Sequence, residues 1–173
     1  MKKNIKLFSG VLIIALSVTS FTSCNKEEIK KIKPQTKEEK TEVILKDYGN
    51  DPLVINIEDY TLKNENFRTT LWTGSKLQVT LMSIPVGEEI GLEQHNGTDQ
   101  FLRIEEGEGK VMMGDSEENL DFVKDFSDDF VIIFPSGKWH NIKNTGDKPL
   151  KIYSIYSPVE HPVGTVHKTK ADE

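Results

Sequence analysis

The chain has 173 residues, of which 36% are apolar and 29% are charged, with a single cysteine. These values are typical of a soluble domain and exclude a disulfide framework, a collagenous chain and a low-complexity chain. Nine Lys and five Glu give residues 1–42 a charge of +4, so residues 43–173 contribute −10 to the total of −6. An acidic domain repels phosphate backbones, which excludes nucleic acid as a partner.

Residues 1–23 predict an export signal. Three lysines form a basic start, and the apolar run over 7–18 that follows is too short to span a bilayer comfortably. Small residues then lead directly to Cys24, and the segment 21–24 resembles a bacterial lipoprotein lipobox, Phe-Thr-Ser-Cys. The resemblance implies cleavage before Cys24 and lipidation of its thiol. A plain secretory signal with an incidental cysteine is the alternative.

Residues 24–42 are rich in Lys and Glu and contain Pro34 but few apolar side chains. Such a segment cannot bury enough surface to fold, so we interpret it as a tether behind the lipidated Cys24. The first 42 residues therefore predict a protein of the bacterial cell envelope, periplasmic or surface-exposed, anchored to a membrane through lipid.

Residues 43–173 predict one domain built almost entirely of β-strands and followed by a C-terminal tail. Short β-type runs alternate with turn signals, and no helical stripe of about ten residues is present. The predicted strands are 67–72, 76–84, 100–105, 110–113, 120–125, 129–134, 139–144 and 150–157. Many short strands at this spacing indicate a barrel or a sandwich.

Polar residues fall on matching faces of three of these segments. Glu93 and His95 are two residues apart, so on an extended strand their side chains point to the same face. Gln100 shares its face with the apolar residues of its strand, and His140 shares its face with Ile142. The three segments can therefore converge on one interior pocket.

In the spacing of these polar residues and of nearby glycines, the sequence resembles the cupin superfamily. Five residues have the spacing of the first cupin motif: Gly87, Glu93, His95, Gln100 and Gly107. Four residues match the second motif: Pro135, Gly137, His140 and Asn144. Asp129 stands where that motif begins with glycine. The tail over 157–170 resembles that of small one-domain bacterial cupins.

The resemblance implies a double-stranded β-helix, or jelly-roll, barrel over residues 43–173 with a divalent metal inside. The family's ligand positions correspond here to Glu93, His95, Gln100 and His140, where the usual set is three histidines and one glutamate. The carboxylate has moved to another position, and the ligand charge of −1 is retained. Gln100 would bind a metal through its carbonyl oxygen, or would instead hydrogen-bond a substrate or a water.

Two nitrogen and two oxygen ligands suit one ion of iron, manganese, nickel, cobalt or zinc. The resemblance implies a metal-dependent enzyme of isomerase or dioxygenase type that acts on a small oxygenated molecule. In that scheme Glu93 is a proton acceptor if it is not a ligand. Two alternatives stay open: a non-catalytic module that binds a sugar or another small molecule, and a structural barrel without metal.

The tail contains two further histidines, His161 and His167, which we expect on the exposed surface. The alternative is that the tail folds across a mouth of the barrel and brings one of them near a ligand. Trp139 and Phe101 should point away from the pocket, where they would pack on the outer sheet or form a homodimer surface.

The first testable prediction concerns the membrane anchor. Cys24→Ser should release the protein into soluble fractions, because the thiol that carries the lipid is removed. Fractionation of cells that process other lipoproteins normally provides the measurement. Unchanged membrane association of the variant would contradict lipidation at Cys24.

Overall fold

The computed structural model describes residues 42–173, and most of this part of the chain is β-strand. In chain order the elements are α1 (Ile57–Lys63), β1 (Arg68–Thr73), β2 (Gln78–Ile84), β3 (Glu93–Gln94), β4 (Asp99–Glu106), β5 (Glu108–Gly114), β6 (Phe122–Ser127), β7 (Val131–Phe134), β8 (Trp139–Asn144), β9 (Leu150–Ser157), β10 (Val166–His167) and a 3-10 helix (Lys170–Asp172). Within that range no helix has the length and apolar character needed to traverse a lipid bilayer. The predicted export signal, Cys24 and nearly all of the tether lie outside the described residues.

The strands form two antiparallel sheets that enclose the main core. One sheet has six strands in the order β10-β1-β2-β9-β4-β7, and the other has four in the order β3-β8-β5-β6. Buried side chains from both sheets meet between them, among them Leu102, Ile104, Ile142 and Ile152. The expected all-β jelly-roll barrel is therefore confirmed. The predicted strands 139–144 and 150–157 have the observed bounds, and the others begin or end within about two residues of them.

Strand β2 is buried on both faces. Its outward-facing Leu81 packs with Leu71 and with Tyr60 of helix α1, whereas Met82 faces the barrel core. The helix begins after Asn56, whose side chain accepts a hydrogen bond from the Glu58 backbone N–H at 3.2 Å. Seven residues are too few to show a helical period in the sequence, which is why α1 was not predicted.

The inner face of the six-stranded sheet changes from apolar to polar along the strands. Met82 and Ile152 are register partners in the apolar part. Four residues further along, Gln78 lies opposite Tyr156, and Tyr156 also lies opposite Gln100 on β4. Gln78, Gln100 and Tyr156 are all buried. Because buried polar groups are costly unless they are bonded, this polar end of the barrel needs internal partners or a ligand.

The positions at which the two cupin motifs have glycine adopt the left-handed backbone conformation. This explains why Asp129 can replace one of these glycines. Gly87, Gly107 and Gly137 have φ of 78°, 99° and 81°, and Asp129 has φ of 70°. Within residues 42–173, Asp129 is the only residue other than glycine with positive φ. Aspartate is among the few side chains that tolerate this conformation, so the motif's turn is kept without its glycine.

The second prediction compares Asp129→Gly with Asp129→Ala. Both variants remove the exposed carboxylate that pairs with Arg103. The difference in stability between them therefore measures the backbone strain at positive φ. The glycine variant should be more stable by about 1 kcal/mol, because alanine is strained at positive φ. Urea unfolding measures this difference. At Asp128, whose φ is not positive, the alanine variant should instead be the more stable of the two. A glycine variant that is more stable at both positions would contradict the explanation.

Candidate metal centre

Three of the residues singled out in the sequence meet inside the barrel. Glu93 on β3, His95 just beyond it and His140 on β8 place one ligand atom each within 4.8 Å of the others. Glu93 Oε1 lies 3.4 Å from His95 Nε2 and 3.4 Å from His140 Nε2. His140 is 3% exposed and His95 is 9% exposed, so the cluster is largely closed to solvent.

The local backbone explains why these residues meet. Glu93 and His140 are register partners in the antiparallel pair of β3 and β8, so their side chains emerge side by side. The turn after His95 is fixed to the Pro135–Gly137 turn, since the Gly137 backbone N–H donates to the His95 carbonyl at 2.9 Å. The two cupin motifs are thus joined beside the cluster of Glu93, His95 and His140.

Hydrogen bonds to the far ring nitrogens determine what the two histidines present to Glu93. His140 Nδ1 lies 2.9 Å from the Lys138 carbonyl, and His95 Nδ1 lies 3.1 Å from Glu160 Oε1. Carbonyl and carboxylate oxygens only accept, so in the neutral rings both protons sit on Nδ1 and both Nε2 atoms are bare acceptors. Neither Nε2 atom nor Glu93 Oε1 has a hydrogen-bond partner.

Three acceptors that face one another repel unless a positive charge or a hydrogen-bond donor lies between them. A divalent first-row metal fits this donor set, because two imidazole nitrogens and a carboxylate oxygen are ordinary ligands of such ions. Protonation of a histidine is the alternative source of charge. The three residues are therefore capable of holding a metal.

The electrostatics keep Glu93 ionised. Burial alone would raise the pKa of Glu93, but contacts with His140 and His95 outweigh burial and hold the pKa well below its ordinary value. Burial lowers the pKa of His95, whereas Glu93 and Glu160 raise it, and the net shift is upward. The centre thus contains a permanent carboxylate, as a cation ligand requires.

Gln100 faces the interior as expected and is 2% exposed. Its side-chain N–H group donates to the Tyr156 hydroxyl at 3.0 Å and to Ser154 Oγ at 3.2 Å. These two bonds leave Gln100 Oε1 without a partner. The role of Gln100 as a fourth ligand stays a prediction.

The tail contributes Glu160, a contact that sequence reasoning missed. The side chain of Gln78 binds this part of the tail, because Gln78 Oε1 accepts from the His161 backbone N–H at 2.9 Å while Gln78 Nε2 donates to the His161 carbonyl at 2.8 Å. Glu160 is thereby placed on His95 across 65 residues of sequence. The only hint in the sequence was a glutamine on a strand, Gln78, whose side chain would need a partner if buried. The sequence does not indicate which residue that partner is.

The expectation that His161 and His167 are exposed is wrong, since both are half-buried. The ring of His161 lies edge-on to Tyr156 at 5.2 Å, and Tyr156 lies edge-on to His95 at 5.5 Å. The alternative, that the tail brings a histidine near a ligand position, holds only in part, since the tail residue that contacts His95 is Glu160. Phe101 lies on the outer face as expected, where its ring stacks on Tyr153 at 6.5 Å.

Comparisons with known proteins agree with this architecture. A family model described as Cupin domain matches residues 80–156. The chain is similar to an uncharacterized protein of Bacillus subtilis, YrkC, with 58% identity over 130 residues that cover 75% of this chain and 70% of the relative.

Two solved structures show the same likeness. A crystal structure of a Bacillus halodurans protein is 59% identical with a TM-score of 0.73, over 73% of this chain and 96% of that one. A Klebsiella pneumoniae protein with a double-stranded β-helix domain is 16% identical with a TM-score of 0.53, over 69% of this chain and 100% of that one. The second likeness concerns the fold alone.

The third prediction concerns acid stability. Burial and the positive charge of Arg68 lower the pKa of His161 to about 4, and His95 and His167 add to this effect while Glu93 opposes it. Stability from neutral His161 is fully present above its unfolded pKa of about 6.5 and is lost as pH falls towards its folded pKa.

Between pH 6.5 and about pH 4.5, the wild-type protein should therefore lose about 2 kcal/mol more free energy of unfolding than His161→Gln. Urea unfolding at the two pH values measures both losses. Equal losses in the two proteins would show that His161 does not resist protonation in the folded state.

Proposed function

The chain belongs to the cupin superfamily, and from that membership we propose that it binds one divalent transition metal and acts with it on a small oxygenated molecule. The reaction is of isomerase or dioxygenase type. The observation that carries the proposal is the set of three buried acceptors, Glu93 Oε1 and the Nε2 atoms of His95 and His140, that face one another without a donor.

The proposed ligands are Glu93, His95, His140 and, through its carbonyl oxygen, Gln100. This set has two nitrogens, two oxygens and a charge of −1, and it suits iron, manganese, nickel, cobalt or zinc. The unpartnered oxygen of Gln100 supports its place in the set, because the opposite end of the same amide is fixed by two hydroxyls.

A metal bound here supplies Lewis-acid polarisation of an oxygen-containing group. The surrounding residues hold the ligands in place. Glu160 fixes the ring of His95, while the Lys138 carbonyl and the ring of Phe134, stacked at 4.1 Å, fix His140. Burial raises the pKa of Tyr156, so its hydroxyl stays protonated and is available as a neutral hydrogen-bond donor.

The proposed setting is the cell envelope, where the lipid on Cys24 anchors the barrel to a membrane. The protein would then bind its small-molecule substrate outside the cytoplasm. The homodimer surface expected on the outer sheet is supported by the aromatic pair of Phe101 and Tyr153 and by Ile133, which is 59% exposed.

The fourth prediction is that protein purified without a metal-affinity tag holds about one equivalent of a transition metal. His95→Ala and His140→Ala should lose most of it, because each leaves the ion with too few donors. Elemental analysis measures the content, and circular dichroism confirms that the variants fold. His167→Ala is the matched control, since it removes an imidazole outside the cluster and should retain the metal.

Wild-type protein that stays metal-free after incubation with salts of all five metals would rule out the metal site. If metal is bound, assays of turnover and oxygen uptake with small sugars, hydroxy-ketones and organic acids separate an enzyme from a binding protein. Binding of a small molecule without turnover would assign the non-catalytic function.

The fifth prediction tests whether Glu93 and Gln100 share one metal. Glu93→Gln should weaken metal binding strongly, because a divalent ion would face four neutral donors in a mostly dry site. The double variant Glu93→His with Gln100→Glu restores the common cupin ligand set and its charge of −1. It should bind metal more tightly than Glu93→His alone, a non-additive result in a titration.

Independent effects of the two changes would assign Glu93 and Gln100 to separate roles. Glu93 would then be a proton acceptor or an ordinary polar residue.

A further inference from the structure

Arg68 is the largest fully buried side chain of residues 42–173, with 1% exposure, and it lies on β1. One guanidinium nitrogen pairs with the carboxylate of Glu173, and Nη2 lies 3.9 Å from the sulfur of Met82. The third nitrogen, Nε, has no hydrogen-bond partner. Because a buried charge is costly unless its hydrogen bonds are made, Arg68 has binding capacity inside the barrel that the chain does not use.

Other unpartnered polar atoms occur around Arg68. Arg68 is the register partner of Met82 on β2 and of His167 on β10, and Thr80 lies two residues from Met82 on the same face. Around Arg68, three further atoms beyond the proposed metal ligands have no hydrogen-bond partner: Thr80 Oγ1, His161 Nε2 and His167 Nδ1. Folded proteins leave few such atoms unsatisfied, so this concentration points to a polar ligand that bonds them.

Arg68 and the candidate metal centre share this interior. Burial lowers the pKa of Arg68, but neighbouring Tyr156, Glu173 and Glu93 raise it, and the net shift is upward. Tyr156 in turn contacts the ring of His95. A molecule that reached Arg68 would therefore lie in the same interior as the proposed ligands.

The carboxylate on Arg68 comes from an exposed segment. The side chain of Glu173 is 31% exposed, whereas that of Arg68 is 2% exposed. The 3-10 helix before Glu173 contains no buried residue. The nearby contacts are a hydrogen bond from the Phe67 N–H to the Lys168 carbonyl at 3.2 Å and an ion pair between Lys170 Nζ and Glu89 at 3.8 Å. Glu173 can leave Arg68 without breaking a strand of the barrel.

We propose that Arg68 is the carboxylate-binding residue of the substrate pocket, that the substrate is a small carboxylic acid, and that the Glu173 carboxylate occupies Arg68 until the acid replaces it. A guanidinium suits this role because its planar N–H groups match the two oxygens of a carboxylate. The inference rests on the proposed function, since it names the substrate class of the same pocket.

The experiment uses metal-free protein, so that its result does not depend on the metal centre. Acetate is the probe, its affinity is measured by NMR titration, and chloride replaces acetate at constant ionic strength. Glu173→Gln should bind acetate at least about ten-fold more tightly than the wild type, because a tethered carboxylate competes at an effective concentration in the millimolar range or above. Adding Arg68→Gln to that variant should abolish the gain.

The matched control is Asp125→Asn, which removes the carboxylate of the exposed Lys110–Asp125 ion pair and should leave acetate affinity unchanged. If the double variant does not fold, the Arg68 Nε–H signal of Glu173→Gln replaces it and should shift on acetate addition. If Glu173→Gln binds acetate no more tightly than the wild type does, Glu173 only fixes the tail in place and the proposal is overturned. A gain in affinity that survives loss of Arg68, or that leaves its signal unmoved, would also overturn it. A protein that takes up none of the five metals but still shows the Arg68-dependent gain would count against the metal centre alone.

Discussion

The arrangement on which the site depends is one carboxylate oxygen facing two imidazole nitrogens, all three being acceptors. Glu93 Oε1 lies 3.4 Å from each Nε2, and the protons of both neutral rings are drawn to the opposite side by the Lys138 carbonyl and Glu160. Such an arrangement is repulsive in a dry interior unless a cation or a hydrogen-bond donor lies between the atoms. The joined turns of the two motifs and the stacked ring of Phe134 hold the atoms in place, so the fold maintains a geometry that a positive charge stabilises.

The tail completes this interior. Gln78 would be a costly buried amide without a partner, and its bonds to the backbone of His161 satisfy both ends of its side chain. The same contact sets Glu160 against His95 and brings His161 to Tyr156. One buried polar residue on β2 therefore links the tail to the ligands, and further along the tail Glu173 neutralises Arg68.

The sequence could predict what local patterns determine. Alternation placed Gln100 and His140 inside, and the resemblance to the cupin motifs predicted that Glu93, His95 and His140 lie at one site, as they do. It could not predict the pairs Glu160–His95 and Arg68–Glu173, since these contacts join residues 65 and 105 positions apart and no local rule relates them. It also misplaced the tail histidines, because their burial depends on partners elsewhere in the chain.

The most direct test of the central claim is the tautomer of the two histidines, measured by two-bond 1H–15N NMR on metal-free protein at a pH at which both rings are neutral. The account predicts that His95 and His140 carry their protons on Nδ1, and that both Nε2 resonances shift together on addition of one equivalent of zinc, with no change at His167. Nε2 atoms that carry the protons and do not respond to zinc would contradict it, because the rings would then donate to Glu93 and the centre would need no metal.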